Sequence, residues 1–86
     1  MDKKEVLFKK EVTEDDIKNI IKEQLSVSDI KDSDRLIDDL FADSLDIVEI
    51  LMNLEDTYGI EISENELDGN CKVQEVVQLV LNKIND

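Results

Sequence analysis

The chain of 86 residues contains no proline and only two glycines, Gly59 and Gly69. Almost nothing in it interrupts a helix, because proline and glycine are the residues that do so most strongly. Three stretches place apolar residues at helical spacing. Ile17, Ile20, Ile21 and Leu25 predict a helix over 14–25, with Thr13 as its N-cap and Glu14, Asp15 and Asp16 at the positive end of its dipole. Ile47, Ile50, Leu51, Leu54 and Tyr58 predict a central helix over 44–58, stopped by Gly59. Val73, Val76, Val77, Val80, Leu81 and Ile84 predict the last helix. Glu64–Asp68 reads as one short helical turn capped by Ser63. The expected architecture is therefore an all-α, small four-helix bundle of three main helices and one short helix. Residues 1–86 read as one domain with its core at 13–86; residues 1–12 either extend the first helix or fray. The polar stretch 26–43 reads as a long loop pinned by Val27, Ile30, Leu36, Ile37 and Leu40. Loops of this length in small domains are often functional.

Charge narrows the function. The net charge is −13, and residues 28–68 alone hold 14 acidic residues against Lys31 and Arg35. Such a chain is repelled by nucleic-acid phosphates and anionic lipid, so neither is an expected partner. Without a single histidine, imidazole-based catalysis and His-containing metal sites are excluded. Cys71, the lone cysteine, forms no intramolecular disulfide and reads as a buried, inert thiol. No apolar run reaches membrane-spanning length, so a soluble cytoplasmic module, monomeric and meeting basic partners, is expected. A calcium loop counted from Asp32 fails, because Leu36 and Ile37 stand where a ligand and glycine are required. Weak, non-specific divalent binding is the only metal expectation.

The central helix carries more apolar residues than one core face needs. Leu45, Val48 and Met52 form a second stripe beside Asp46, Glu49, Glu55 and Asp56. Either the helix is wedged between its neighbours, or the stripe is a docking surface where acids attract a basic partner and apolar side chains hold it. Ser44 stands where loop becomes helix. Its local pattern is that of a plain N-cap, yet an anion attached to its hydroxyl lies near free backbone N–H groups. No neighbouring base activates this hydroxyl, so modification by another enzyme fits better than catalysis.

Leu40–Ile62, LFADSLDIVEILMNLEDTYGIEI, resembles the attachment region of acyl carrier proteins, with Asp43-Ser44-Leu45 matching the centre of their Leu-Gly-x-Asp-Ser-Leu motif. The similarity extends over about residues 14–84. It implies that a phosphopantetheinyl transferase moves 4′-phosphopantetheine from coenzyme A onto Ser44, with Asp43 helping to position Mg²⁺. The arm then carries acyl chains as thioesters between basic-surfaced enzymes of fatty-acid synthesis, without the carrier being an enzyme itself. It also implies that Leu45, Asp46, Glu49, Met52, Glu55 and Asp56 dock partners, and that an acyl chain can fold back between the helices. The long acidic helix and free-standing length favour fatty-acid synthesis. A specialised carrier of polyketide, aminoacyl or D-alanyl groups is the alternative, and an acidic interaction domain without prosthetic group is an alternative of another class.

Three positions depart from the family pattern. Phe41 replaces the usual Gly and either contacts a partner or, the preferred reading, packs on the loop. Asn70 stands near a commonly apolar position. Lys72 replaces the usual Thr or Ser cap, so the last helix is expected to cap through Asn70.

Overall fold

The computed structural model describes residues 12–85, which form three α-helices and one 3-10 turn. Residues 1–11, most of the uncertain N-terminal stretch, lie outside the described residues. Helix α1 spans Glu14–Leu25, α2 Ser44–Tyr58 and α3 Val73–Asn85. Each begins where the sequence supplies a partner for the orphan N–H groups of a first turn. At α1 the Thr13 hydroxyl accepts from the Asp16 N–H at 3.3 Å and the Asp16 carboxylate accepts from the Thr13 N–H at 3.0 Å, a reciprocal capping box. At α3 the Glu75 carboxylate accepts from the Lys72 N–H at 2.8 Å, and the carbonyls of Asp34 and Asp32 accept from Val73 and Gln74. Asn70 therefore does not cap α3, contrary to expectation; three loop and side-chain acceptors already fill that role. Both α1 and α2 end on a left-handed residue, Ser26 and Gly59.

The expected fourth helix is only a 3-10 turn, Glu64–Glu66. The Glu66 carboxylate folds back to accept the Ser63 N–H at 2.9 Å at its start, and Leu67 turns extended and ends it. Lys83 of α3 pairs with the same carboxylate at 2.9 Å. The Ser63 N–H first and Lys83 second hold the Glu66 carboxyl below its ordinary range.

The core joins Ile17 and Ile21 of α1, Ile50 and Leu54 of α2 and Val73, Val76, Val77 and Val80 of α3, all buried. These are the predicted stripes, and apolar burial is the dominant stabilising term. Helix α1 packs against both α2 and α3, which touch each other far less. That asymmetry leaves space between α2 and α3.

The connection 26–43 is long but well tied. The Asp34 carboxylate accepts from the Lys31 N–H, the Asp39 carboxylate from the Arg35 N–H, and Lys18 of α1 pairs with Asp32. Leu36 donates to the Cys71 carbonyl beside an isolated antiparallel bridge between Arg35 and Lys72. Ile30 and Leu36 pin the loop to the core as expected, with Val27 and Leu40 half-buried. Ile37 does not; it is exposed, and buried Ala42 takes the pinning place. Among the described residues no helix is long and apolar enough to cross a membrane.

Candidate functional site

The start of α2 separates two jobs that local pattern had merged. Asp43, not Ser44, is the N-cap: its carboxylate accepts from the Asp46 N–H at 2.8 Å, while the Asp46 carboxylate accepts from the Asp43 N–H at 3.1 Å. Ser44 is the first residue of the helix proper and is exposed. Its hydroxyl has no side-chain hydrogen bond among the described residues. The site thus offers an accessible hydroxyl at the positive end of a helix of 15 residues, with no structural duty among the described residues.

Ser44 also stands at the edge of an apolar cavity of about 240 Å³. Ile47, Val48 and Leu51 of α2 form one wall, Leu36 and Ile37 of the loop a second, and Leu67, Cys71 and Val76 the far side. An apolar cavity of ~150 Å³ suffices for benzene, so this space has room for several carbons of an alkyl segment. Cys71 takes no chemical part in it. Burial first, and the nearby Glu75 charge second, push its thiol up to about 11, so the nucleophilic thiolate is scarce at neutral pH.

The second stripe of α2 is open. Leu45, Val48 and Met52 are 62, 43 and 54% exposed, so the helix is not wedged on that face. The acids around the stripe are not equivalent. Asp56 is exposed and Glu49 is held by the Gln24 amide at 2.5 Å, with Asn53 donating to Gln24 in turn. Asp46 belongs to the capping box, and Glu55 is half-buried with its carboxylate accepting the Ile62 N–H at 2.8 Å. Glu55 thus shapes the turn after α2, a role that spacing alone does not disclose. Acids near a helix C-terminus oppose its dipole, and α2 has no basic residue in its last turn to offset them.

Phe41 overturns the expectation that it packs on the loop. Its side chain is 84% exposed and its backbone is left-handed, at φ +61°. Glycine adopts that conformation freely, whereas an L-residue loses about 1–2 kcal/mol there. Asn70, misassigned as a cap, is instead a clip: its amide oxygen accepts from the N–H groups of Ile37 at 3.1 Å and Asp38 at 2.9 Å, and its amide nitrogen donates to the Asp38 carboxylate at 3.0 Å. Arg35 adds a hydrogen bond to the Asn70 carbonyl. Partners 32 and 33 residues away leave no local trace in sequence.

The phosphopantetheine attachment site family matches residues 15–80. The chain belongs to the acyl carrier protein family. It is 45% identical over 74 residues to the acyl carrier protein of Chlamydia muridarum, an alignment covering 84% of this chain and 96% of the relative. The acyl carrier protein of Campylobacter lari is 40% identical over 70 residues, 79% of this chain and 91% of its own. That of Wolinella succinogenes is 41% identical over 68 residues, covering 77% and 90%. Membership makes phosphopantetheine the cofactor and acyl carriage, not catalysis, the function. The exposed hydroxyl at a helix N-terminus and the apolar cavity beside it fit such a group.

Proposed function

We propose that this carrier holds its 4′-phosphopantetheine on Ser44 and delivers acyl chains, as thioesters, to enzymes of fatty-acid synthesis. The observation that supports this most is the division of labour at the head of α2: Asp43 caps the helix and leaves the Ser44 hydroxyl exposed and unengaged. A phosphodiester formed there lies beside the N–H groups of the first turn, which favour its negative charge. Ser44 needs an outside base for that reaction, in keeping with loading by a phosphopantetheinyl transferase. Asp43 commits Oδ1 to the cap, so Oδ2 is the oxygen left to help position Mg²⁺ during loading. Once bound, the group supplies the terminal thiol on which acyl chains ride.

The cavity beside Ser44 gives a tethered chain somewhere to leave water. Burial of alkyl surface stabilises by about 0.8 kcal/mol per methylene, a modest preference that an enzyme competing for the chain can overcome. Leu45, Val48 and Met52 offer apolar contact, and Asp46, Glu49 and Asp56 the attracting charge, to basic-surfaced partners; Glu55 supports the turn behind them. A monomer in the cytoplasm is the form this reading requires, since a second chain of the same charge is repelled.

Mass spectrometry tests the assignment. Incubation with coenzyme A, Mg²⁺ and a transferase is expected to add one phosphopantetheine to Ser44 and none to Ser44→Ala. No addition to the wild type, or equal addition to the variant, overturns it.

A further inference from the structure

We propose that Phe41 is a specificity-determining contact: an aromatic anchor that enters an apolar pocket, rimmed by basic residues, on the transferase that loads Ser44. This rests on the assignment of Ser44 as the loading site.

Two features of Phe41 are unfavourable within the fold. Its ring is 84% exposed, and its backbone is held at a left-handed φ that costs a phenylalanine what it would not cost glycine. Among the described residues nothing offsets either. The residue that carries the ring is not a loose end. The Phe41 backbone N–H donates to the Ile37 carbonyl at 3.0 Å, and the next residue, Ala42, is buried and its backbone N–H donates to the Leu36 carbonyl at 2.9 Å. The backbone is therefore fixed on both sides, and the left-handed turn keeps the side chain in solvent rather than letting it settle on the loop. A large aromatic side chain held out on a fixed backbone, with only two side-chain torsions to order on binding, has the character of an interface anchor.

Position and charge identify the partner. Phe41 precedes Ser44 by three residues, so an enzyme that reaches the Ser44 hydroxyl passes beside the ring. Asp38, Asp39, Asp43 and Asp46 flank it, and residues 36–71 contain no lysine or arginine. A second copy of this chain would bring the same acids to the same place. A partner with basic residues around an apolar pocket is the complement.

The test uses the unloaded protein and a transferase that modifies the wild type, with coenzyme A and Mg²⁺. In Phe41→Gly the KM for the carrier is expected to rise about tenfold while kcat stays within about twofold, as loss of an anchor of this size implies. The same variant should melt about 4–8 °C higher, because the strain is relieved. Phe41→Leu should recover part of the KM. A purely structural Phe41 would move stability without moving KM. An unchanged KM in Phe41→Gly, with the wild type loading normally, overturns this inference alone; a wild type that no transferase loads overturns the Ser44 assignment with it. A dimer that Phe41→Gly dissolves would also overturn the inference, by assigning the ring to a second copy.

Discussion

Asn70 ties together two segments that line the cavity, and its removal can be worked through bond by bond. Asn70→Ala deletes three side-chain hydrogen bonds, to the N–H groups of Ile37 and Asp38 and to the Asp38 carboxylate, at 3.1, 2.9 and 3.0 Å. The Arg35 bond to the Asn70 carbonyl survives, because it uses the backbone. Ile37 and Asp38 are exposed, so their freed N–H groups recover water and no desolvated donor is stranded. The loss then sits at the low end of a net hydrogen bond, about 0.5 kcal/mol each and about 1.5 kcal/mol together. For a domain of this size that is a fall in Tm of roughly 6–12 °C, or in urea midpoint of about 1 M. Circular dichroism of the unloaded protein in urea measures it. Asn70→Asp adds a second check: it keeps the acceptor for two of the three bonds, loses the donor and sets a carboxylate beside Asp38, so its deficit should shrink in about 1 M salt whereas that of Asn70→Ala should not. A loss below about 0.5 kcal/mol in Asn70→Ala, ordinary for any surface change, would refute the clip.

Two further outcomes are expected. Glu49→Lys should weaken binding to a fatty-acid synthase enzyme by about tenfold at low salt and flatten the salt dependence of what remains, as measured by titration calorimetry; unchanged affinity at low salt would remove α2 from the interface, and Glu49→Gln separates charge from the Gln24 contact. Cys71, with its thiol pushed up to about 11, should react with an alkylating reagent at pH 8 about a hundredfold more slowly than free cysteine. The same burial sets a pH dependence: the unfolded thiol ionises first, so the folded state holds its proton longer and stability falls as pH rises from about 9 towards 11, by up to about 2–3 kcal/mol. Wild type and Cys71→Ala compared across that window show the difference; parallel curves would place the thiol in water.

The helices were legible because their signals are local. Thr13, the acids after it and the spacing of Ile17 and Ile21 specify α1 within a dozen residues, and Gly59 stops α2 at the predicted place. What stayed illegible was tertiary. Asn70 finds its partners across the chain, and Ala42 is buried by a loop path that composition does not encode. Phe41 shows a different failure. Sequence marked it as a departure from glycine, and hydrophobicity argued that it should pack, but the left-handed backbone decides its direction and φ is not read from a side chain. Spacing placed Glu55 on the docking rim, and it did not disclose that the turn after α2 also supplies an N–H to its carboxylate.

The cap of α2 was legible and misread. Asp and Ser are both strong N-caps and stand side by side at 43 and 44, so preference alone cannot choose between them. The reciprocal partner can. A capping box needs a side-chain acceptor three residues on: from Asp43 that residue is Asp46, from Ser44 it is Ile47, which has none. The distinction bears on function. Were Ser44 the cap, attaching a phosphodiester to its oxygen would sacrifice a bond worth about 1 kcal/mol and loosen the helix at the moment of loading. On the proposed loading at Ser44, Asp43 keeps the cap, so loaded and unloaded forms are expected to share the same helix start and to present Leu45, Val48 and Met52 alike.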